Sequence, residues 1–492
     1  MPSQDLQFSK QDRTIGWAVW IVFTLAVLFF KLSYHELWKD EWQAWFVATD
    51  QGLFDMLGFL NYEGHPMLWY LYLKVASIFQ FLAPESPETI IQIAHWLIVA
   101  ATAWVWLLRL RLPWLYKLLF LGSYHFAFEY GVINRGYALV MLLAFLATDF
   151  IARKRFDGFG LPLVVFLLTQ TEVYGLFLAG GFCFYLLQGG QFQWTKSASW
   201  FDSTIKKRSL GALVLGTLVF ILVVWPRGRG EEFARAYVGE AFSQSAILDG
   251  FQGLLANNYA IGLIPDTSAY GWSGLGLGLS VASLLIVASL LAKRRRLLWT
   301  YLITFLVFWL FSTSFYGGGV RQWGNLFLFS LCLFVLLEPD RWSWQNPRKW
   351  LLILLAVAPL LHAGRSIARD AQLPFTNAQA AGEFLKEKVP ERVPIIAINK
   401  FEATPVTGYA DRPFFELPSG EPFTFFRWLE RIYIPTEDEF RLLGEYKQVG
   451  GIIVISPQPL DPNRYPNLQA WQNFAVPSYK PEQYWVYTLA LN

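Results

Sequence analysis

Residues 34–66 read YHELWKDEWQAWFVATDQGLFDMLGFLNYEGHP. The stretch follows one long apolar segment and precedes another. It holds Glu36, Asp40, Glu41, Asp50, Asp55 and Glu63, and two of the chain's five histidines, His35 and His65. A carboxylate-rich loop pinned between membrane segments is costly to build unless water or a polar substrate reaches it. The side on which this loop emerges also fixes the side of every later turn.

Of the 492 residues 54% are hydrophobic and only 16% charged, against roughly 25% charged in a soluble domain. Apolar stretches of spanning length recur, so the chain reads as a polytopic α-helical membrane protein. The net charge of +3 argues orientation rather than nucleic-acid binding, through its distribution. The two cysteines, Cys183 and Cys332, lie inside apolar segments, so neither a disulfide framework nor a thiolate metal site is indicated. Lys10 and Arg13 precede an apolar run, 15–32, longer than the core of a cleavable signal; this predicts an uncleaved anchor with a cytoplasmic N-terminus.

Apolar length predicts spans near 15–34, 88–108, 112–130, 135–152, 159–171, 173–188, 209–225, 272–291, 297–315, 320–338 and 349–363, about eleven in all. Basic clusters at Arg109/Arg111/Lys117, Arg153–Arg155, Lys206–Arg208, Lys293–Arg296 and Arg341/Arg348/Lys349 should all be cytoplasmic. They alternate with outward turns near 131–135, 172, 226–271 and 316–321. By the same parity the carboxylate loop is outside, and residues 65–83 start and end on one face. That run carries Lys74 near its middle and reads as a re-entrant or interfacial helix. The outer loop therefore extends over 34–87.

The loop 226–271 is long enough for amphipathic helices on the membrane surface, with Arg227, Arg229 and Arg235 mixed with Glu231 and Glu232. From about Arg365 the chain turns polar and Pro-rich. Helices over 376–389 and 436–447 and strands over 393–399, 450–456 and 483–491 predict a small outer α/β domain, 365–492, after a membrane domain, 1–364. The C-terminal domain has no cysteine, histidine or nucleotide-binding glycine fingerprint.

Were 36–49 one helix, Glu36 and Asp40 would share a face at i, i+4, repelling one another and raising one carboxyl toward the range of a general base. Trp38, Trp42, Trp45 and Phe46 suit a helix lying at the membrane interface. Pro66 suits the first turn of the following helix, which would put Glu63 and His65 at an anion-favouring N-terminus. Glu129 and Arg135 flank the outer end of a span, and could simply pair with each other. Glu172 and Tyr174 sit at a tight outer turn. Arg321 follows three glycines at the mouth of a span, where a guanidinium could grip a phosphate or merely snorkel. His95 and His125, within spans, read as packing residues. No metal-ligand spacing or serine triad is visible.

These residues resemble the GT-C glycosyltransferases, nearest the protein O-mannosyltransferase and aminoarabinose-transferase type. The resemblance rests on an acidic pair, Asp40-Glu41, in the first outer loop, on the following HPMLWYLYL from His65, and on NRGYAL with Arg135 and Tyr137. It is clear over about 15–190. It implies inverting transfer of a sugar from a polyprenyl-phosphate carrier to an acceptor on the outer face of a plasma (inner) membrane. Asp40 would be the general base with Glu41 beside it. Glu36, Glu63, His65, Glu129, Arg135, Tyr137 and Arg321 are the candidate substrate-binding residues. The acceptor is left open among protein, lipid and polysaccharide. No cofactor is expected, and a divalent metal is left open. Gln92 and His95 stand where relatives often carry arginine, and no aspartate ends 112–130, so the sugar is undetermined. Against this reading stand a transporter or flippase for a lipid-linked glycan, which predicts mid-span charges and repeated halves, and a non-catalytic scaffold.

Overall fold

A computed structural model describes residues 10–84, 86–156, 158–189, 203–225, 242–263, 273–337, 349–428 and 432–491. The expectations for Arg227, Arg229, Glu231, Glu232, Arg235, Arg341 and Arg348 lie outside these residues. The chain forms two compact units: one of Met1–Phe29, Gly64–Trp69 and Ile93–Ile367, the other of Phe30–Glu63, Tyr70–Gln92 and Ala368–Asn492.

The first unit is a helical bundle built for a membrane. Among the described residues six helices are long and apolar enough to cross one: Lys10–Ser33, Pro87–Leu108, Thr204–Val224, Gly274–Leu291, Arg295–Ser314 and Trp350–Gln372. Each falls on an expected span. Tyr137–Ala152, Gly160–Thr169, Val173–Leu187 and Val320–Val335 are shorter apolar helices on four more. The expected span 112–130 is broken instead: a helix, Trp114–Leu121, gives way at Gly122 to a π-helical turn, Tyr124–Glu129. Val320–Val335 is the centre of the bundle, buried at every residue from Gln322 to Val335. A helix apolar all round is what such a position demands. The expected surface helix of the 226–271 loop is corrected. Gln244–Tyr259 packs into the bundle, where Asn258 donates to the Trp323 carbonyl and Trp309 to that of Ile247. Small residues let the helices close up: a Cβ on Gly181 would lie 2.6 Å from both the Phe329 ring and Thr304 Oγ1.

Charge sorts to the ends of this bundle. Asp149 holds Arg109 at 2.6 Å and Arg153 at 2.5 Å, so two of the expected cytoplasmic clusters meet. Arg296 donates to the Tyr185 carbonyl, and Gln188 donates back to the carbonyl of Arg296.

The second unit joins the 34–63 stretch to the C-terminal domain. Its sheet runs β3-β2-β1-β4-β6-β5, with β1 Ile395–Ala397, β2 Phe414–Phe415, β3 Pro422–Phe423, β4 Gly451–Ser456, β5 Gln469–Phe474 and β6 Tyr484–Ala490. β1 is parallel to β2 and β4, with Ile395 opposite Ile453; the other pairings are antiparallel. Helices Ala378–Lys388, Lys400–Ala410 and Glu437–Tyr446 complete the domain. Lys400–Ala410 packs on the loop helix Lys39–Thr49. Trp42 lies on Gly408 and edge-on to Tyr409, whose hydroxyl donates to the Leu37 carbonyl. Trp38, Trp42 and Trp45 are thereby buried, not spread on a membrane interface as expected. Burial of such rings contributes about 2–3 kcal/mol each relative to exposure. Within the 65–83 run, Leu68–Ser77 is helical and Ile78–Leu82 a 3-10 turn. Together they rise only about 25 Å, short of a hydrocarbon core of ~30 Å. Lys74 is satisfied there by the carbonyls of Ala48 and Gln51 at 2.9 and 2.7 Å, a cation at the C-terminal end of a helix.

Candidate active site

The loop helix begins at Lys39, one residue after its N-cap, Trp38. Glu36 therefore precedes the helix, and the expected i, i+4 face shared with Asp40 does not form. Glu36 instead accepts from the Thr376 amide at 3.1 Å. Burial, partly offset by that bond, raises its carboxyl to about 7.

Asp40 and Glu41 have different surroundings. Glu41 is buried at the third helical position, and its Oε2 accepts from the Trp38 amide at 2.9 Å, closing the first turn. Its Oε1 lies 3.4 Å from His35 Nε2, and His35 Nδ1 lies 3.0 Å from Asp370 Oδ2, all buried. Burial works against the charged imidazole, but the Asp370 and Glu41 carboxylates overcome it and raise His35 to about 9. Glu41 is thus engaged in holding the loop to the segment that enters the C-terminal domain. Asp40, half-buried beside it, is the carboxylate of the pair left nearer solvent. Its neighbour Lys39 binds Glu402 at 2.9 Å and Glu482 at 4.0 Å. The Asp40 charge is felt at Glu482, whose carboxyl burial raises. The C-terminal domain thus frames the expected base with a salt-bridged lysine.

Glu63 ends the helix Leu53–Glu63 rather than starting the next, contrary to expectation, because Gly64 at φ +67° breaks the chain there. It is buried, accepting from Gln43 at 2.7 Å and Tyr70 at 3.0 Å. The next helix begins at Leu68, two residues after Pro66.

The remaining candidates lie in the membrane unit. His65 Nδ1 is 2.7 Å from Glu172 Oε2. Glu172 immediately precedes the helix Val173–Leu187 and packs against Gly136, where a Cβ would sit 3.4 Å from its Oε1. Tyr137, next along, lies where the charges of Glu172, Arg135 and Arg321 act on it. Its ring stacks on Tyr130 at 5.6 Å, and the Tyr130 hydroxyl donates to the Arg321 carbonyl at 2.6 Å. The three glycines before Arg321 serve a close approach. Gly318, at φ +73°, brings backbone so near that a Cβ would lie 3.1 Å from the Tyr174 hydroxyl. Glu129 stands apart, accepting from Tyr124 at 2.5 Å. The hydroxyls of Tyr137 and Tyr174 are buried with no hydrogen-bond partner. The charge of Glu172 acts on both, and those of Arg135 and Arg321 act on Tyr137. His95 and His125 are buried among rings, His95 edge-on to Trp69 and His125 beside Tyr130 and Phe327.

The structure thus groups Glu36, Asp40, Glu41 and Glu63 in one unit, and His65, Arg135, Tyr137 and Arg321 in the other. Sequence reasoning missed Asp370, Glu402 and Glu482, which reach the loop from more than 300 positions away. Among the described residues no group of three or more His, Cys, Asp or Glu could hold a metal.

No family model matches the chain, and no curated protein does. Solved structures do. The chain is similar to ArnT from Cupriavidus metallidurans bound to undecaprenyl phosphate, with TM-score 0.59, 12% identity and 98% of each chain covered. It is similar also to the same protein in the apo state, with TM-score 0.55, 12% identity, and 97% of this chain and 98% of that one covered. ArnT is an aminoarabinose transferase of the GT-C type. The likeness is one of fold: this chain is an integral membrane protein that shares a mostly helical, GT-C-like fold with that transferase from end to end.

Proposed function

We propose that this protein transfers a sugar from a polyprenyl-phosphate carrier to an acceptor hydroxyl on the outer face of the inner membrane, with inversion. The observation that carries the reading is the end-to-end likeness to a transferase whose structure holds undecaprenyl phosphate. Asp40 takes the acceptor proton as the acceptor oxygen bonds to the anomeric carbon. The bond from that carbon to the phosphate oxygen breaks on the opposite face, and polyprenyl phosphate leaves with the electron pair. Arg135 and Arg321 bind the phosphate and stabilise its growing charge, and the hydroxyls of Tyr137 and Tyr174 donate to its oxygens. His65, fixed by Glu172, adds a further donor. Glu41 keeps the loop in shape rather than taking a proton. The N-terminus is cytoplasmic and the C-terminal domain extracytoplasmic in this reading.

Purified protein incubated with radiolabelled polyprenyl-phosphate sugars tests it. Release of polyprenyl phosphate is expected, with Asp40→Asn slower by about 10²–10⁴-fold, the usual contribution of a general base. Full activity in that variant would remove Asp40 from the role. Turnover of no donor would remove the transfer reading itself.

A further inference from the structure

The C-terminal domain contains a crevice of about 540 Å³ that the transfer chemistry above does not use. It opens beyond the carboxyl ends of β1 and β2, which are parallel. Open α/β sheets place ligands outside the carboxyl ends of their strands. The volume is that of a small-molecule site.

Aromatic rings and polar side chains meet there, with Arg427 also in the lining and its guanidinium 5.0 Å from the Tyr62 ring centroid. Phe401, Phe426 and Trp428 form an edge-to-face cluster with centroids 4.6–5.0 Å apart, and Tyr433 stands at the rim, 43% exposed. Across from the rings Lys400 Nζ and Glu416 Oε2 pair at 2.6 Å, both half-buried. A mutually neutralised ammonium and carboxylate attract little net charge. They do offer donors and an acceptor side by side, which is what adjacent hydroxyls require. The electron-rich faces of aromatic rings suit the slightly positive C–H face of a pyranose. A saccharide uses the ring faces and the polar groups together; a phosphate leaves the rings unused, and a lipid tail leaves the polar groups unused.

The crevice also touches the catalytic loop. Phe401 lines it and at the same time lies under the Lys39 ammonium, 4.1 Å from its ring centroid. Glu402, the next residue, holds Lys39, and Lys39 precedes Asp40. A ligand in the crevice is thus one side chain away from the residue that positions the loop.

We infer that this crevice binds a neutral saccharide and that this saccharide is part of the acceptor. Its assignment to the acceptor rests on the transferase reading; the binding itself does not. The test is titration of the full-length protein, in a detergent without sugar headgroups, with maltotetraose, cellotetraose, chitotetraose and mannotetraose. At least one should bind. Trp428→Ala should weaken it about tenfold, equivalent to about 1.4 kcal/mol, while Trp428→Phe restores most of it and both variants keep the wild-type Tm. Binding of none of the four, or undiminished binding by Trp428→Ala, overturns the inference. Saccharide binding without donor turnover leaves the crevice standing and removes the transfer reading; turnover without saccharide binding does the reverse.

Discussion

At the scale of single residues, adjacent carboxylates have opposite fates because helix geometry and partners differ by one position. Glu41 is fixed between an amide and an imidazole, and its removal leaves a charged His35 facing Asp370 alone. Glu41→Ala is expected to destabilise by about 3 kcal/mol, as breaking a buried ion pair does. Asp40→Asn should leave Tm near wild type while activity falls. The same cluster sets a pH dependence. His35 moves from 6.5 to about 9 in the fold, so its contribution is complete below about pH 6.5 and is lost as pH rises through 9. Glu36, raised from 4.5 to about 7, acts in the same direction: its protonated form favours the fold, and that contribution fades as pH rises through 7. In thermal melts in detergent, the Tm advantage of wild type over His35→Asn should therefore be full near about pH 6 and shrink as pH rises through 9. An advantage that grows over that range would contradict the cluster's geometry.

At the scale of elements, what was legible followed from local pattern. Hydropathy located the six long spans, and alternation with capping located Ala378–Lys388, Glu437–Tyr446, β1, β4 and β6. The misses have physical causes. Lys400–Ala410 carries Pro405 and Gly408 and is held by burial on Trp42 rather than by propensity. β5 is an exposed edge strand with a bulge, so no alternation marks it. The break at Gly122 lies inside a run apolar enough overall to read as one span, which length alone cannot divide. Of the candidate site, residue types were legible and partners were not: His35 with Asp370 and His65 with Glu172 are set by tertiary packing. So are the close helix contacts. Gly181→Val would drive methyl groups into Phe329 and Thr304, and the expected cost is about 1–3 kcal/mol of overpacking. Gly180 has open space at its Cβ, so Gly180→Ala should leave Tm unchanged. Equal effects of the two variants would mean that the bundle does not close at Gly181.

At the scale of the whole molecule, orientation follows from where charge collects. Asp149 gathers Arg109 and Arg153 at the C-terminal end of Tyr137–Ala152, while Arg135 and Gly136, the latter packed on Glu172, lie at its other end. A helix with paired and excess basic residues at one end is retained with that end in the cytoplasm. In the proposed orientation the opposite end, with His65, Arg135 and Arg321, faces out, where polyprenyl-linked rather than nucleotide-linked sugars would be met. Cys183 and Cys332 are buried, free thiols, so a membrane-impermeant maleimide should find little background in the folded wild type. Single cysteines at Ser86 and at exposed Glu387 should label in intact, right-side-out cells. One at Lys154, beside the Asp149 cluster, should label only after permeabilisation. Labelling of Lys154→Cys from outside would invert the molecule. Protection of Ser86→Cys with labelling of Glu387→Cys would instead make residues 65–83 a true crossing, and would require one fewer crossing elsewhere in the bundle.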